Sequence, residues 1–379
     1  MQPLTWLGCS WCLVRLAQSK DERWWLAFGA IAGIGLLSKY LILFYMAGLA
    51  VGIVATPLRT SLLRPWIYLG AAIALLFLAP SAYWQAQHGW PFLELGAAGV
   101  NGKNLALSPL AFFGQQVLFV GPAAMPVWLA GLWRFSVRPQ LPQLRAFPIA
   151  YAAMVALFYA LHGKAYYLAP VYPVLLAGGA VAIEGWFSRP VLRAAAIGIV
   201  TVVGLLFVPL VLPLLPPPSY VTYARMFGLG PSAAATERGA QSVLPLHLAG
   251  MIGWPEMARA VTNAYRALPP EERKNAVFYG QVYGEAGALE VFGKPLGGLP
   301  AVAGHNNFYL WGLNGHSGSV VITLGTNVPQ LLANYRDRQI VSWIRTPYAM
   351  PYETNIPIFV LRKPRVPLSV LWPQLRHYD

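Results

Sequence analysis

The chain is poor in charge and in cysteine. Only 11% of its 379 residues are charged while 57% are hydrophobic, a balance too apolar for an ordinary soluble protein. The two cysteines, Cys9 and Cys12, lie in an apolar stretch with no His or acidic residue beside them. Their C-x-x-C spacing therefore reads as two small packing side chains and not as a redox or metal motif. The C-terminal region has no cysteine, so no intrachain disulfide braces it. No H-E-x-x-H, P-loop, G-x-S-x-G or G-x-G-x-x-G signature is present, and the sequence names no metal-ligating residue and no certain cofactor. A cleavable signal peptide is also lacking: the first apolar stretch starts at once, without a preceding basic residue or an A-x-A-like site, and more such stretches follow. The net charge of +14 comes without a basic stripe interleaved with aromatics, which argues against nucleic acid as a partner.

What is present is membrane-helix sequence. Eight apolar stretches fall near residues 4–17, 24–37, 41–55, 66–82, 112–134, 146–161, 165–187 and 191–215. A bilayer core requires about 20 helical residues, fewer where helix ends are anchored or buried in a bundle. Residues 24–55 can be drawn as one long helix or as a hairpin, and charge decides between them. Loops on the cytoplasmic side favour Lys and Arg. With a hairpin, Arg15, Lys20, Arg23, Arg59, Arg64, Arg134, Arg138, Arg145, Arg189 and Arg193 share one side, and Lys39, Lys103 and Lys164 remain on the other. A single helix weakens that asymmetry. The hairpin places the loop at 83–111 and everything after 215 outside the cytoplasm. Anionic lipid headgroups or a phosphate-bearing lipid are then the expected partners of the basic residues.

The proline run in 212–219 stops the last span, because consecutive prolines cannot continue a helix. Mixed sequence follows. Helical spacing marks Pro255 to Leu268, Val282 to Phe292 and Pro329 to Tyr335; strand patterns mark Asn275 to Tyr279, Ser319 to Leu324 and Ile356 to Leu361. Strands alternating with helices predict a small α/β domain. The expected organisation is a transmembrane helical domain over 1–215 and a periplasmic α/β domain over 216–379, with no internal repeat.

Charges at membrane depth are costly and mark candidate sites. Lys39 and Tyr40 occupy the hairpin tip. His162, Lys164, Tyr166 and Tyr167 join two spans and supply a cation and hydroxyls at a helix start, a setting suited to phosphate; interfacial anchoring accounts for the tyrosines equally well. The 83–111 loop carries His88, Trp90 and Glu94. Glu94 is the one carboxylate on the outer side of the membrane half, and so the candidate general base. In the α/β region, Tyr283, Glu285, His305, Asn306 and Asn307 combine rings with polar groups, as sugar or acceptor recognition demands. Ordinary turn and core roles serve as well.

Four segments occur in order: Gly33 to Tyr40 (GIGLLSKY), Gln87 to Pro91 (QHGWP), Lys164 to Pro173 (KAYYLAPVYP), and YGEAGALE with GHNNFYLWG in the outer region. Together they resemble bacterial glycosyltransferase family 39, which includes protein O-mannosyltransferase-like and aminoarabinose-transferase-like enzymes of the GT-C fold. The resemblance extends from about Trp24 to Gly312. It implies a polytopic α-helical membrane protein of about eight spans with a C-terminal α/β periplasmic domain. It also implies transfer of a sugar from a polyprenyl-phosphate carrier to a glycan, lipid or protein acceptor at the outer face of the inner membrane. Lys39 and Lys164 would then face the carrier phosphate from neighbouring helix ends, with Tyr167 beside them. The family places an acidic catalytic residue in a D-E-type motif of its first outer loop. The aspartates here, Asp21, Asp337 and Asp379, match no such motif. The chain therefore reads as the later part of a longer enzyme or as an inactive relative. The competing class is a non-catalytic protein that binds or transports lipid-linked glycan. A transporter would show two related halves with broken helices, and that symmetry is missing. A glycan ligase or polymerase is a third possibility.

Overall fold

The computed structural model describes residues 1–100, 104–137, 141–230, 242–325 and 327–379. Lys103 and Arg138, both part of the charge asymmetry, lie outside the described residues. The chain divides into two compact units, Met1–Trp90 with Asn104–Leu214 and Pro91–Lys103 with Leu215–Asp379.

In chain order the helices are α1 (Gln2–Ser19), α2 (Trp24–Ser38), α3 (Ile42–Val54), α4 (Pro65–Gln87), α5 (Pro91–Ala98), α6 (Pro109–Val120), α7 (Met125–Val137), α8 (Ala146–Ala160), α9 (Tyr172–Trp186), α10 (Pro190–Val211) and α11 (Pro217–Met226). All eight apolar stretches recur as helix. Among the described residues, however, four helices are long and apolar enough to cross a membrane, or up to six if each bent pair forms one span. The stretch at 112–134 is not a straight span. Its path bends by 97° where α6 gives way to Pro122, because Gly121 turns the chain at φ 102° and proline cannot donate the next helical hydrogen bond. The stretch at 165–187 begins as a 3₁₀ segment, Ala165–Val171, before α9 takes over. The break in 24–55 falls at Lys39, whose extended backbone ends α2.

The first unit packs α2 against α1 and α4, α3 against α8, and α7 against α9. Its interior holds Trp6, Tyr45, Trp128, Phe147 and Met154, all fully buried. Close approach of backbones, rather than interdigitated large side chains, sets two of these contacts. A Cβ on Gly131 would collide with the Leu175 carbonyl, and one on Gly179 with the Val127 carbonyl. Gly29 and Gly70 interlock α2 and α4 in the same way. Gly131→Ala and Gly29→Ala are each expected to destabilise the bundle by about 1–3 kcal/mol through overpacking, read as a lower melting temperature of the detergent-solubilised chain. Helices α4 and α10 leave most apolar side chains uncovered, including Leu76 at 73% and Ile197 at 68% exposure. Such surface is unfavourable in water by about 25 cal/mol per Å² and suits contact with lipid.

The second unit contains α12 (Leu246–Ala249), α13 (Trp254–Arg266), α14 (Pro270–Arg273), β1 (Ala276–Gly280), α15 (Tyr283–Ala288), β2 (Ala301–Ala303), β3 (Val320–Leu324), α16 (Pro329–Asn334), β4 (Tyr335–Ile344), β5 (Ile356–Pro364) and α17 (Leu368–Leu371). The five-stranded sheet has the order β2-β1-β3-β5-β4. It is parallel at β2-β1-β3 and antiparallel at β3-β5-β4. One face, with Phe278, Ile322, Ile358 and Val360, is covered by α13. The other, with Val277, Val321 and Leu361, is covered by Leu331, Leu368 and Trp372. The three strands expected from sequence are β1, β3 and β5. The other two escaped notice because β2 has only three residues and β4 is largely exposed, without hydrophobic alternation.

Candidate functional site

The segment joining α8 to α9 is fixed from both sides. Phe158 accepts from the Gly163 amide at 2.7 Å, which requires His162 to adopt φ 50°. The Gln116 side-chain amide on α6 donates to the Ala165 carbonyl at 2.8 Å. Its oxygen accepts from the Tyr172 hydroxyl at 2.8 Å, and Tyr151 approaches Tyr172 at 3.2 Å. This buried polar chain leaves Lys164 half-buried at the edge of the unit and Tyr167 packed against Phe158.

The hairpin tip meets that segment. The Lys39 ammonium lies 5.5 Å from the Tyr167 ring centroid, within the range of cation–π attraction. The Lys39 backbone is held by Gln2, whose side-chain amide donates to the carbonyls of Gly35 at 3.1 Å and Lys39 at 3.0 Å. The Gln2 oxygen accepts from the Trp6 indole at 2.8 Å, and Trp6 stacks on Tyr45 at 4.6 Å. Tyr40 is hydrogen-bonded to Ser81 on α4. Two segments more than 120 residues apart in sequence thus bring Lys39 to Tyr167, with Lys164 three residues from Tyr167 and its carbonyl accepting from the Tyr167 amide at 3.0 Å. His88, the C-cap of α4, stacks on Trp84 and bonds to its carbonyl at 2.8 Å.

In the second unit, Glu94 on α5 is engaged by Arg376 at 2.6 Å. Tyr283, 54% exposed, stacks on the buried His305 at 5.0 Å. His305 Nδ1 accepts the Tyr283 amide at 3.1 Å, so its proton resides on Nε2, which faces Asp379 at 2.5 Å. His305, His377 and Asp379 bring ligand atoms within 4.8 Å of one another. The proton arrangement at His305 is nevertheless wrong for a metal ligand. A ligating imidazole donates its second N–H outward, and here that nitrogen receives a hydrogen bond instead. Asn307 is exposed and accepts from Tyr378 at 3.1 Å. Asn306 sits at φ 51° with a buried side-chain oxygen lacking a hydrogen-bond partner.

Glu285 does not face solvent. It is buried and accepts from the Gln281 amide at 2.7 Å. With Glu353 it lines a cavity of about 20 Å³ beneath Gly253, Trp254 and Met257. Burial pushes the Glu285 carboxyl up to about 8, with the nearby Glu353 adding to the rise. Burial likewise pushes Glu353 up to about 7.

Residues 1–84 match the family model of the dolichyl-phosphate-mannose-protein mannosyltransferases. Neither the curated proteins nor the solved structures contain a match to the chain. The mannosyltransferase family is membrane-embedded and uses a sugar linked to a lipid phosphate. Its match covers Lys39, Tyr40 and Ser81, while Lys164 and the α/β unit lie beyond it. The similarity is thus narrower than the Trp24-to-Gly312 range over which the four sequence segments occur. Gln2 and Gln116 were not singled out in the sequence. A glutamine within an apolar stretch is the signal that could have found either, since an amide at membrane depth needs partners.

Proposed function

We propose that this chain transfers a sugar from a polyprenyl-phosphate carrier to a glycan, lipid or protein acceptor, at the periplasmic face of a bacterial inner membrane. The observation that carries this reading is the Lys39 ammonium seated 5.5 Å from the ring of Tyr167, three residues after Lys164 in sequence, in a chain whose first 84 residues match a mannosyltransferase family. Lys39 and Lys164 hold the carrier phosphate. Tyr40, Tyr166, Tyr167 and His162 supply donors and interfacial anchoring around it, and His88 and Trp90 anchor the end of α4. The main contribution to rate is stabilisation of the negative charge that grows on the departing lipid phosphate. Residues 1–215 form the carrier-binding membrane domain, and residues 216–379 form a periplasmic domain. Tyr283 and Asn307 offer an exposed ring and amide for acceptor or sugar recognition, supported from beneath by His305, Asn306 and Glu285.

Incubation of the purified intact protein with a polyprenyl-phosphate sugar tests the reading. Release or transfer of sugar supports it. Binding of the lipid without turnover transfers the argument to a non-catalytic lipid-linked-glycan binding or transport protein. One observation favours that second reading: Glu94, the candidate base, is already engaged by Arg376. An ion-pair role is accordingly the expected one. Glu94→Gln should keep transfer within about tenfold of the native rate, whereas a loss of about 10²–10⁴ would identify Glu94 as the base.

A further inference from the structure

Among the described residues, strand β4 is the outer edge of the sheet and pairs only with β5. Eight of its ten residues are not buried. Three are large and apolar: Ile340 is 47% exposed, Val341 40% and Trp343 49%. The register brings Ile340 and Trp343 to one face. Arg338 stands opposite Leu361, Ile340 opposite Phe359 and Trp343 opposite Pro357, and directly paired residues share a face of the sheet. The layer that buries Leu361 and Tyr335 on this face stops short of Ile340 and Trp343.

An uncovered apolar edge strand is ordinarily a hazard, since it offers a free hydrogen-bonding ladder to another chain. Here the ladder is interrupted. The register shifts between Ile340 and Ser342, a bulge of the kind that prevents strand addition. The recognition surface is therefore made by side chains. Those side chains are aromatic and aliphatic groups bordered by cations: Arg336, Arg338 and Arg345 are all exposed, and Asp337 is the single acidic residue between Tyr335 and Arg345. Trp beside Arg is the composition of a lipid–water interface, and three guanidinium groups complement anionic headgroups.

We infer that the β4 edge, through Ile340, Val341 and Trp343 with Arg336, Arg338 and Arg345, docks onto an anionic lipid surface. The membrane helices of the same chain keep lipid close, so a weak contact suffices: tethering replaces affinity with effective concentration. The inference is independent of the transferase reading, because it requires only that the chain be embedded in a membrane.

The test uses the full chain in nanodiscs, labelled with a polar thiol-reactive fluorophore at Ile340→Cys or Trp343→Cys. The native Cys9 and Cys12 are buried and do not compete for such a reagent. A third label at Glu256→Cys, on exposed α13 surface, is the reference. Quenching by a headgroup-level spin-labelled lipid is measured in discs with and without phosphatidylglycerol. Both β4 positions should be quenched in phosphatidylglycerol discs, the reference should not, and pure phosphatidylcholine should abolish the difference. Arg336→Gln and Arg338→Gln should each lower the docked population about fivefold. Equal quenching at all three positions overturns the inference, as does quenching indifferent to phosphatidylglycerol. Fluorescence energy transfer between β4 labels on two copies, without quenching by the spin-labelled lipid, overturns it in favour of a second chain as occupant.

Discussion

Under the proposed transferase reading, replacing Lys164 by alanine is expected to lower turnover of a polyprenyl-phosphate sugar by about 10²- to 10³-fold, the usual consequence of removing one preorganised donor to a developing anion. Lys39→Ala has an effect of similar size. Removing both costs less than the product of the single losses, since the two cations would act on the same phosphate and neighbouring effects are not additive. The Lys164→Arg variant retains charge but presents a planar fork in place of a compact ammonium, and recovers part of the rate. Gln2→Leu separates positioning from charge. It removes two hydrogen bonds to the backbone at Gly35 and Lys39 without touching the ammonium, so it should reduce transfer by less than Lys39→Ala. Steady-state turnover with the purified intact chain measures all five. Unchanged turnover in both Lys39→Ala and Lys164→Ala would rule out the carrier-phosphate role.

The α/β unit is expected to lose stability as pH rises from about 4.5 to about 8. The carboxyls of Glu285 and Glu353 ionise near 4.5 when unhindered, and burial in the folded unit pushes them up to about 8 and about 7. Between those limits the folded state binds more protons than the unfolded state, and stability must fall with pH. The full contribution is present below pH 4.5 and is gone once pH passes the folded values. Each group imposes at most about 1.4 kcal/mol per pH unit over its window. Glu285→Gln keeps an acceptor for the Gln281 amide and removes one titration, so the pH slope should flatten. Glu285→Ala leaves that amide unpaired at a cost of about 1–3 kcal/mol. Pulse proteolysis of the full chain in urea, followed through the α/β fragment at several pH values, measures both. A stability that rises over the same interval would exclude the buried-acid account.

The positions of the helices were legible in the sequence because runs of apolar residues have few alternatives in a chain this poor in charge. The same holds for β1 and β3, whose residues are all buried. The bend at Gly121 was not legible from hydropathy, because the residues on both sides of it are equally apolar. β4 was hidden for the opposite reason: exposure on both faces erases the alternation by which strands are recognised. Lys39, Lys164 and their tyrosines stood out in sequence as polar groups at membrane depth. Glu285 and His305 also stood out, but sequence could not tell that one is buried over a cavity with Glu353 and the other fixed between the Tyr283 amide and Asp379.

The amino-acid sequence determined by itself that the first part of the chain is apolar helix and that the last part alternates strand and helix, because both follow from local composition and period. Only the tertiary structure decided which of the distant polar groups meet. Lys39 reaches Tyr167, and Glu285 shares a cavity with Glu353, through packing of segments far apart in the chain. Such contacts depend on backbone approach at glycines and on buried amides such as those of Gln2 and Gln116, whose partners no local pattern specifies.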